Sequence, residues 1–272
     1  MKWLIAPLLV LLVCLQVVPA QAAITFVGAQ VGSFAGVTTA QTINFALTGG
    51  SDATPQAGDF VIASYCVSAN ADRGLLIQDA GANAYTLVGT EQYRDDAFDA
   101  NQRTAYKVMS GTPDTDIVLS EGVNGGTGDV TFGGAYAIFV FRGVHATPLE
   151  QAVQQGTGVD TILINPGGIT PATAGTFIYV SGCGAISTGG VYTQGDLTNF
   201  ISATAVDNND ANIGAGYLAW AAGAYNPATY AGGGTDSINS SYAWMIVALA
   251  PAAVAGSTCN GGMPLLRVGT GC

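Results

Sequence analysis

The stretches AGDFVIASYC (Ala57–Cys66) and AGTFIYVSGC (Ala174–Cys183) carry Ala, Gly, Phe, Ser and Cys at matching places. Each continues from a glycine into apolar, β-branched and aromatic residues, a composition typical of a buried strand. Because side chains alternate between the two faces of a strand, Phe60 and Cys66 are expected on one face and Tyr65 on the other. The sequence therefore predicts the same cysteine-ended core strand twice.

The repetition extends beyond these two strands, in the same order along the chain. Three further pairs of phrases resemble each other: TPQAGDF with TPATAGTF, TAYKVMSG with AGYLAWAAG, and AYAIFVF with SYAWMIV. The ordered matches indicate an internal duplication with pseudo-repeats over about residues 53–142 and 168–250; the competing interpretation is chance similarity among short strands of Ala, Gly, Val and Tyr. Neither half is expected to close its own core, so the two halves should interlock in a jelly roll.

The composition favours an all-β protein. Only 9% of the residues are charged, while Gly reaches 38, and strand-like runs of roughly four to eight residues recur between Gly, Asp, Asn and Pro. The predicted fold is a two-sheet antiparallel β-sandwich of jelly-roll type. One stretch, Thr147–Gln155, favours a short helix, because Thr147 is a suitable N-cap, Pro148 follows it, and Glu150 lies at the capping-box position.

The first 22 residues have the order of a secretory signal peptide: Lys2, a long apolar run and the small-residue site Ala20-Gln21-Ala22. Residues 23–251 are then the sandwich domain, and residues 252–272 a linker and a cysteine-bracketed tail. Without Lys2 the chain keeps 6 basic and 18 acidic side chains, a formal charge of −12. This charge argues against nucleic acid and the membrane surface as partners.

Four cysteines follow the predicted signal peptide and would fold in an oxidising compartment. Cys259 and Cys272 bracket a short tail, and their spacing favours a local bridge. Cys66 and Cys183 remain either as a second bridge, which needs their Cα atoms within about 7 Å, or as two small buried apolar side chains.

Two loops rich in Asp and Asn are candidates for a calcium site, since calcium binds carboxylate, amide and carbonyl oxygens. The candidate ligands are Asp95, Asp96 and Asp99 in the first loop and Asp207, Asn209 and Asp210 in the second. Neither loop has the spacing of an EF-hand, so solvated turn residues are the competing interpretation. No cofactor other than calcium is indicated.

The chain offers little for catalysis. His145 is its single histidine, which leaves a hydrolase triad or a histidine-rich zinc site without partners. The glutamates, Glu91, Glu121 and Glu150, follow no local pattern of paired glycosidase acids. No catalytic residue is predicted, and the chain is not expected to be an enzyme.

A series of short phrases runs through the domain: Tyr106–Val108, Pro113–Asp114, Phe141–Val144 followed by Pro148, and the closing strand Trp244–Leu249. In these phrases the chain resembles a β-sandwich module of phage tail-fibre and virion structural proteins and of bacterial surface or secreted proteins. The resemblance covers nearly all of residues 24–251 and implies a structural or adhesive role without catalytic residues. Two features depart from it: Tyr85 replaces a tryptophan, and a signal peptide is unusual for a virion component.

Three side chains in these phrases are interpreted structurally. Arg142 ends a strongly apolar strand, and a half-buried guanidinium needs a carboxylate partner, for which Glu150 across the predicted turn is the candidate. Trp220 and Trp244 lie in apolar strands, where a core position is favoured over a sugar-stacking platform.

The leading hypothesis is an exported, non-enzymatic structural or adhesive surface module of a bacterial envelope or a virion, with polar loops as its contact surface. Like subunits or surface glycans would be its partners. The alternative is a lectin-like carbohydrate-binding module with calcium in the two Asp/Asn loops, and an unrecognised glycosidase is a third. The tail after Ser257 is interpreted as a disulfide-closed cap or as a strand donated to a neighbour.

Overall fold

A computed structural model shows a protein built from β-strands. It describes residues 21–36, 40–69, 71–95, 99–121, 133–159, 163–186, 188–205, 210–234 and 240–253. Within these ranges there are 17 strands and no helix, which confirms the predicted all-β class. No described segment forms a helix that is long and apolar enough to span a membrane.

The strands form two main antiparallel sheets and two small ones. The first main sheet contains β1 (Thr25–Phe34), β3 (Phe60–Ala69), β5 (Thr86–Leu87), β6 (Gln92–Arg94), β7 (Asp99–Val108) and β9 (Gly134–Arg142). The second contains β10 (Val144–Leu149), β11 (Gln154–Val159), β12 (Thr176–Ile186), β14 (Thr198–Ala205), β15 (Asp210–Trp220) and β17 (Ser241–Pro251). The small sheets contain β2 (Gln41–Asn44), β4 (Leu76–Gln78) and β8 (Asp116–Ser120), and β13 (Gly189–Thr193) and β16 (Ala231–Gly234).

The two main sheets have the same strand order. It is β1-β9-β3-β7-β5 in the first sheet and β10-β17-β12-β15-β14 in the second. The central strands β3 and β12 are the two copies of the repeated phrase, so each half of the chain builds one sheet around its own copy. The sandwich is confirmed, but the halves do not interlock as expected, because each half completes a main sheet of its own.

Three apolar clusters fill the space between the layers. The central cluster lies between the main sheets and includes Phe60 and Cys66 from β3 and Tyr179 and Cys183 from β12. Tyr65 faces the opposite way, into a cluster under the first small sheet, as the alternation predicts. A third cluster covers the outer face of the second main sheet. Each half therefore has an outer core of its own besides the shared central one.

A disulfide joins the two central strands. Cys66 and Cys183 are bonded, with their Cα atoms 5.4 Å apart, which settles the open question about these residues in favour of a bridge. The surroundings follow the repeat: Sγ of Cys66 lies 3.2 Å from the carbonyl oxygen of Asn212, and Sγ of Cys183 lies 3.3 Å from that of Asn101. The bridge therefore joins matched positions in the two halves. Cys259 and Cys272 lie outside the described residues.

The helix predicted over Thr147–Gln155 is wrong. β10 ends at Leu149 and β11 begins at Gln154, and both strands pair with β17. The amide of Glu150, between them, donates to the carbonyl oxygen of Ala248 at 3.0 Å. Pairing with β17 outweighs the local helix-capping preference of this segment. The local sequence does not reveal this pairing, because β17 lies far along the chain.

The predicted ion pair between Arg142 and Glu150 is also wrong. Arg142 binds Asp59 with two hydrogen bonds, from Nε to Oδ1 at 2.7 Å and from Nη2 to Oδ2 at 3.0 Å, and reaches Asp52 at 3.2 Å. The reason is register: Phe141 pairs with Phe60, so their neighbours Arg142 and Asp59 lie side by side.

Glu150 instead supports the start of the second central strand. Its Oε1 accepts from the amide of Ala172 at 2.9 Å and from that of Thr173 at 2.5 Å, and its Oε2 accepts from the hydroxyl of Thr176 at 2.9 Å. Asp59 does the equivalent in the first half, where its Oδ2 accepts from the amide of Gln56 at 2.8 Å. An acid therefore satisfies turn amides before each copy of the repeated strand.

Gly143 fixes the corner between the halves. Its φ is +82°, and a Cβ there would lie 2.6 Å from the carbonyl oxygen of Ala23. Its own carbonyl oxygen accepts from the amide of Ala252 at 2.7 Å, and the carbonyl oxygen of Ala252 accepts from the amide of Ala22 at 2.7 Å. The first and last described segments of the chain therefore meet at this glycine.

We predict that Gly143→Ala destabilises the protein more than Gly58→Ala. Gly58 has a matching φ of +83° with no atom near its Cβ position, so both variants incur the left-handed backbone cost of about 1 kcal/mol. Only Gly143→Ala adds a steric clash with backbone, on the order of 1–2 kcal/mol. Urea unfolding of the two variants measures the difference, and equal losses would contradict the role given to the Ala23 contact.

Candidate functional site

One end of the sandwich, which we call the loop end, collects strand boundaries from both main sheets. These boundaries are Phe34, Ala69, Asp99, Gly134, Ile186, Asp210 and Ser241. The two sheets meet there, since the hydroxyl of Ser241 accepts from the amide of Ala100 at 2.6 Å. The described chain ends, Gln21–Ala23 and Pro251–Ala253, lie at the opposite end, which we call the terminal end.

Two buried aspartates begin matched strands at the loop end. Asp99 is the first residue of β7 and Asp210 the first residue of β15. Asp99 accepts from the hydroxyl of Tyr93 at 2.9 Å, and Asp210 from the amide of Gly189 at 2.5 Å. Burial raises the pKa of Tyr93, and the hydrogen bond to Asp99 raises it further. Both carboxylates therefore hold neighbouring segments in place.

A sequence signal for this pair exists and was missed. Asp99 and Asp210 each open the triplet Asp-Ala-Asn, at residues 99–101 and 210–212. The last residue of each triplet is the asparagine whose carbonyl oxygen contacts the disulfide. The repeat therefore includes the two loop-end aspartates, which the spacing of acids in the sequence marks only as calcium candidates.

The structure describes half of the calcium candidates. Asp95 is exposed and follows β6, while Asp99 and Asp210 are buried; Asp96, Asp207 and Asn209 lie outside the described residues. In the part of the chain that the structure describes, no group of three or more His, Cys, Asp or Glu side chains could hold a metal ion. β7 packs against β17 and β15 against β9, which separates Asp99 from Asp210. Calcium binding stays a prediction.

An ion network lies on the outer face of β7. Nζ of Lys107 donates to Oδ2 of Asp79 at 2.8 Å and to Oδ2 of Asp114 at 2.7 Å. The hydroxyl of Tyr85 donates to Asp114 at 3.1 Å, and Lys107 lies 5.6 Å from the centre of the Tyr85 ring. Asn83 donates to both carboxylate oxygens of Asp79. The network clamps three loop segments onto the first main sheet.

A surface cleft of about 310 Å³ adjoins this network, lined by Asp79, Ala80, Gly81, Thr112, Pro113, Asp114, Thr115 and Asp116. Burial lowers the pKa of Lys107, but the hydrogen bonds to Asp114 and Asp79 outweigh it, so the pKa is raised. The hydrogen bond from Lys107 lowers the pKa of Asp79 to about 2 against the cost of its burial. Lysine and aspartate both stay charged near neutral pH, which suits a structural ion pair and not a nucleophile or base.

Hydroxyl groups form a second network inside the central cluster. The hydroxyl of Ser64 lies 2.8 Å from those of Thr104 and Tyr179, and the side-chain amide of Gln102 donates to Ser181 at 2.8 Å. Burial raises the pKa of Tyr179, so it is neutral at ordinary pH. The network contains no acid and no imidazole to activate a hydroxyl, and it joins the two main sheets.

Trp220 and Trp244 pack on the outer core of the second half, where both are partly buried. Trp244 contacts Gly156 and Gly167, where a Cβ would meet its ring at 2.9 and 2.7 Å. Trp220 packs against Tyr225 with ring centres 4.9 Å apart and donates to the carbonyl oxygen of Gly223 at 3.0 Å. Both therefore pack at the edge of the outer core, partly buried where a core position was predicted.

No protein-family model, curated protein or solved structure matches the chain. Its site has to be argued from its own residues. The loop end is the better candidate, because it gathers matched positions from both halves. The Lys107 network, by contrast, belongs to the first half alone.

We predict that the Lys107 network stabilises the protein at neutral pH and that acid removes this stabilisation. The pKa of Asp79 is lower in the folded state than its ordinary value, so its stabilisation is present above about pH 4 and is lost as the pH falls towards 2. Asp79→Asn should lose on the order of 1 kcal/mol at pH 7 and less at pH 2.5. Urea unfolding of both proteins at the two pH values measures this, and a loss of equal size at both would refute the ionic role.

Proposed function

We propose that the chain is an exported structural or adhesive surface module, of a bacterial envelope or a virion, whose contact surface is the loop end. The observation that carries the proposal is the polarity of the sandwich. Strand boundaries of both halves converge at the loop end, whereas the described chain ends meet at the terminal end. A module attached through its chain ends would present the loop end outward, where loops commonly carry contacts.

The buried bridge supports export. Cys66 and Cys183 form a disulfide. Disulfides form and persist in oxidising compartments and are rare where glutathione keeps thiols reduced. The signal-peptide pattern of residues 1–22 points to the same route. Both agree with folding outside the cytosol.

The chemistry of the loop end suits a contact surface. Asp72 and Asp95 are both exposed there, and both follow strands of the first main sheet. The buried Asp99 and Asp210 fix the strand starts behind them. Exposed carboxylates on a rigid frame accept hydrogen bonds from a partner at little conformational cost. A partner with basic or hydroxyl groups, such as a like subunit or a glycan, would fit.

The lectin-like alternative rests on a different surface. Trp244 and Trp220 are only partly buried on the outer face of the second half, and aromatic rings stack on sugars. Calcium would belong to this alternative through the two Asp/Asn loops. Binding to glycans that survives loop-end substitutions and is lost in Trp244→Ala would favour it.

The test compares a loop-end variant that loses two negative charges with a control variant that loses one. Purified protein on beads is assayed for adhesion to a glycan array and to a surface coated with the same protein, with and without a calcium chelator. Asp72→Asn/Asp95→Asn changes the loop end, and Asp116→Asn, beside the cleft, is the control.

The proposal expects at least tenfold weaker adhesion for the loop-end variant and unchanged adhesion for the control. Equal adhesion of all three folded proteins, or none in either assay, would overturn the loop end as the contact surface. Mass spectrometry of secreted protein tests export separately, since full-length chain retained in the cytosol would contradict it.

A further inference from the structure

The disulfide divides the chain into a closed loop and two open arms. Cys66 and Cys183 are 117 positions apart, and the strands from β4 to β11 all lie between them. β1, β2 and most of β3 precede the bridge, while β13 to β17 follow it. Both described chain ends therefore lie outside the loop.

The chain ends also meet side by side. Gln21 forms a bridge with Ala253, and the amide of Ala22 donates to the carbonyl oxygen of Ala252. β1 pairs antiparallel with β9, starting at Thr25 opposite Arg142. A load that separates the two ends therefore opens these pairs one after another from the terminal end, because it acts at the end of each ladder.

We propose that the bridge makes this domain a module of limited extension. A load on the chain ends extends the arms before Cys66 and after Cys183. This extension stops when the load reaches the bridge. The segment between the cysteines stays closed, because the load passes through the S–S bond instead of through its backbone. In an attached surface module built this way, the 117 positions between the cysteines add no extension when the chain is pulled.

Burial protects the disulfide from reduction. Both cysteines have no exposed surface in the folded protein, lying between the main sheets with the carbonyl groups of Asn101 and Asn212 beside the sulfurs. Thiol–disulfide exchange needs a thiolate to reach a sulfur. A reductant in solution therefore cannot open the loop until the two sheets have separated.

Single-molecule force spectroscopy on the full secreted chain, with handles at its two ends, tests the proposal. Without reductant, the contour length released on unfolding should be about 400 Å shorter than that of a fully extended chain. The shortfall is the length of the loop, which spans 117 positions at roughly 3.3–3.6 Å per residue. With a dithiol reductant, the same length should appear as a separate later step, after the arms have unfolded.

Two variants complete the design. Cys66→Ala/Cys183→Ala should release the full length in the first event, and Ser64→Ala, a neighbour that keeps both cysteines, should retain the shortfall. If the double variant does not fold, the wild-type protein with and without reductant still decides. Release of the full length without reductant, or no later step with it, would overturn the proposal. The measurement involves no binding partner, so it stands apart from the proposed function.

Discussion

The covalent contact between Cys66 and Cys183 is the constraint on which the rest of the fold depends. It joins the central strands of two sheets that share no backbone ladder, at matched positions of a repeated phrase. Closing a loop of this length removes denatured-state entropy worth roughly 4–5 kcal/mol. The bridge also sets how the sheets lie on each other, which places Asp99 and Asp210 at one end.

The two halves share the strand order of their main sheets, but different side chains cover the outer faces of these sheets. On the outer face of β7, Arg103 and Lys107 are charged side chains bound to loop carboxylates and carbonyl groups. On β15 the corresponding outer face carries Gly214, where a Cβ would meet the ring of Phe200 at 2.7 Å. One half is therefore closed by ion pairs and the other by aromatic rings lying on glycines. The shared frame favours a structural role, and the different covers give the module two unlike outer surfaces.

Local patterns predicted the strands and missed several of the contacts between them. Alternation in the repeated phrase placed Cys66 and Tyr65 on their correct faces, because a strand has a period of two. The partner of Arg142 was wrong because it depends on the register of β9 against β3, which brings in Asp59 from far along the chain. The helix over Thr147–Gln155 was wrong for the same reason, since pairing with β17 is a long-range interaction. The candidate site was predictable in part: its aspartates were named, but their shared Asp-Ala-Asn triplet was not used to align the halves.

Two matched halves are fastened face to face through the matched cysteines Cys66 and Cys183. Mass spectrometry of a proteolytic digest made without reduction, after blocking free thiols, tests this claim most directly. It should recover a peptide containing Cys66 linked to a peptide containing Cys183, and neither cysteine in a blocked form. Blocked Cys66 and Cys183, or a link from either one to Cys259 or Cys272, would contradict the account.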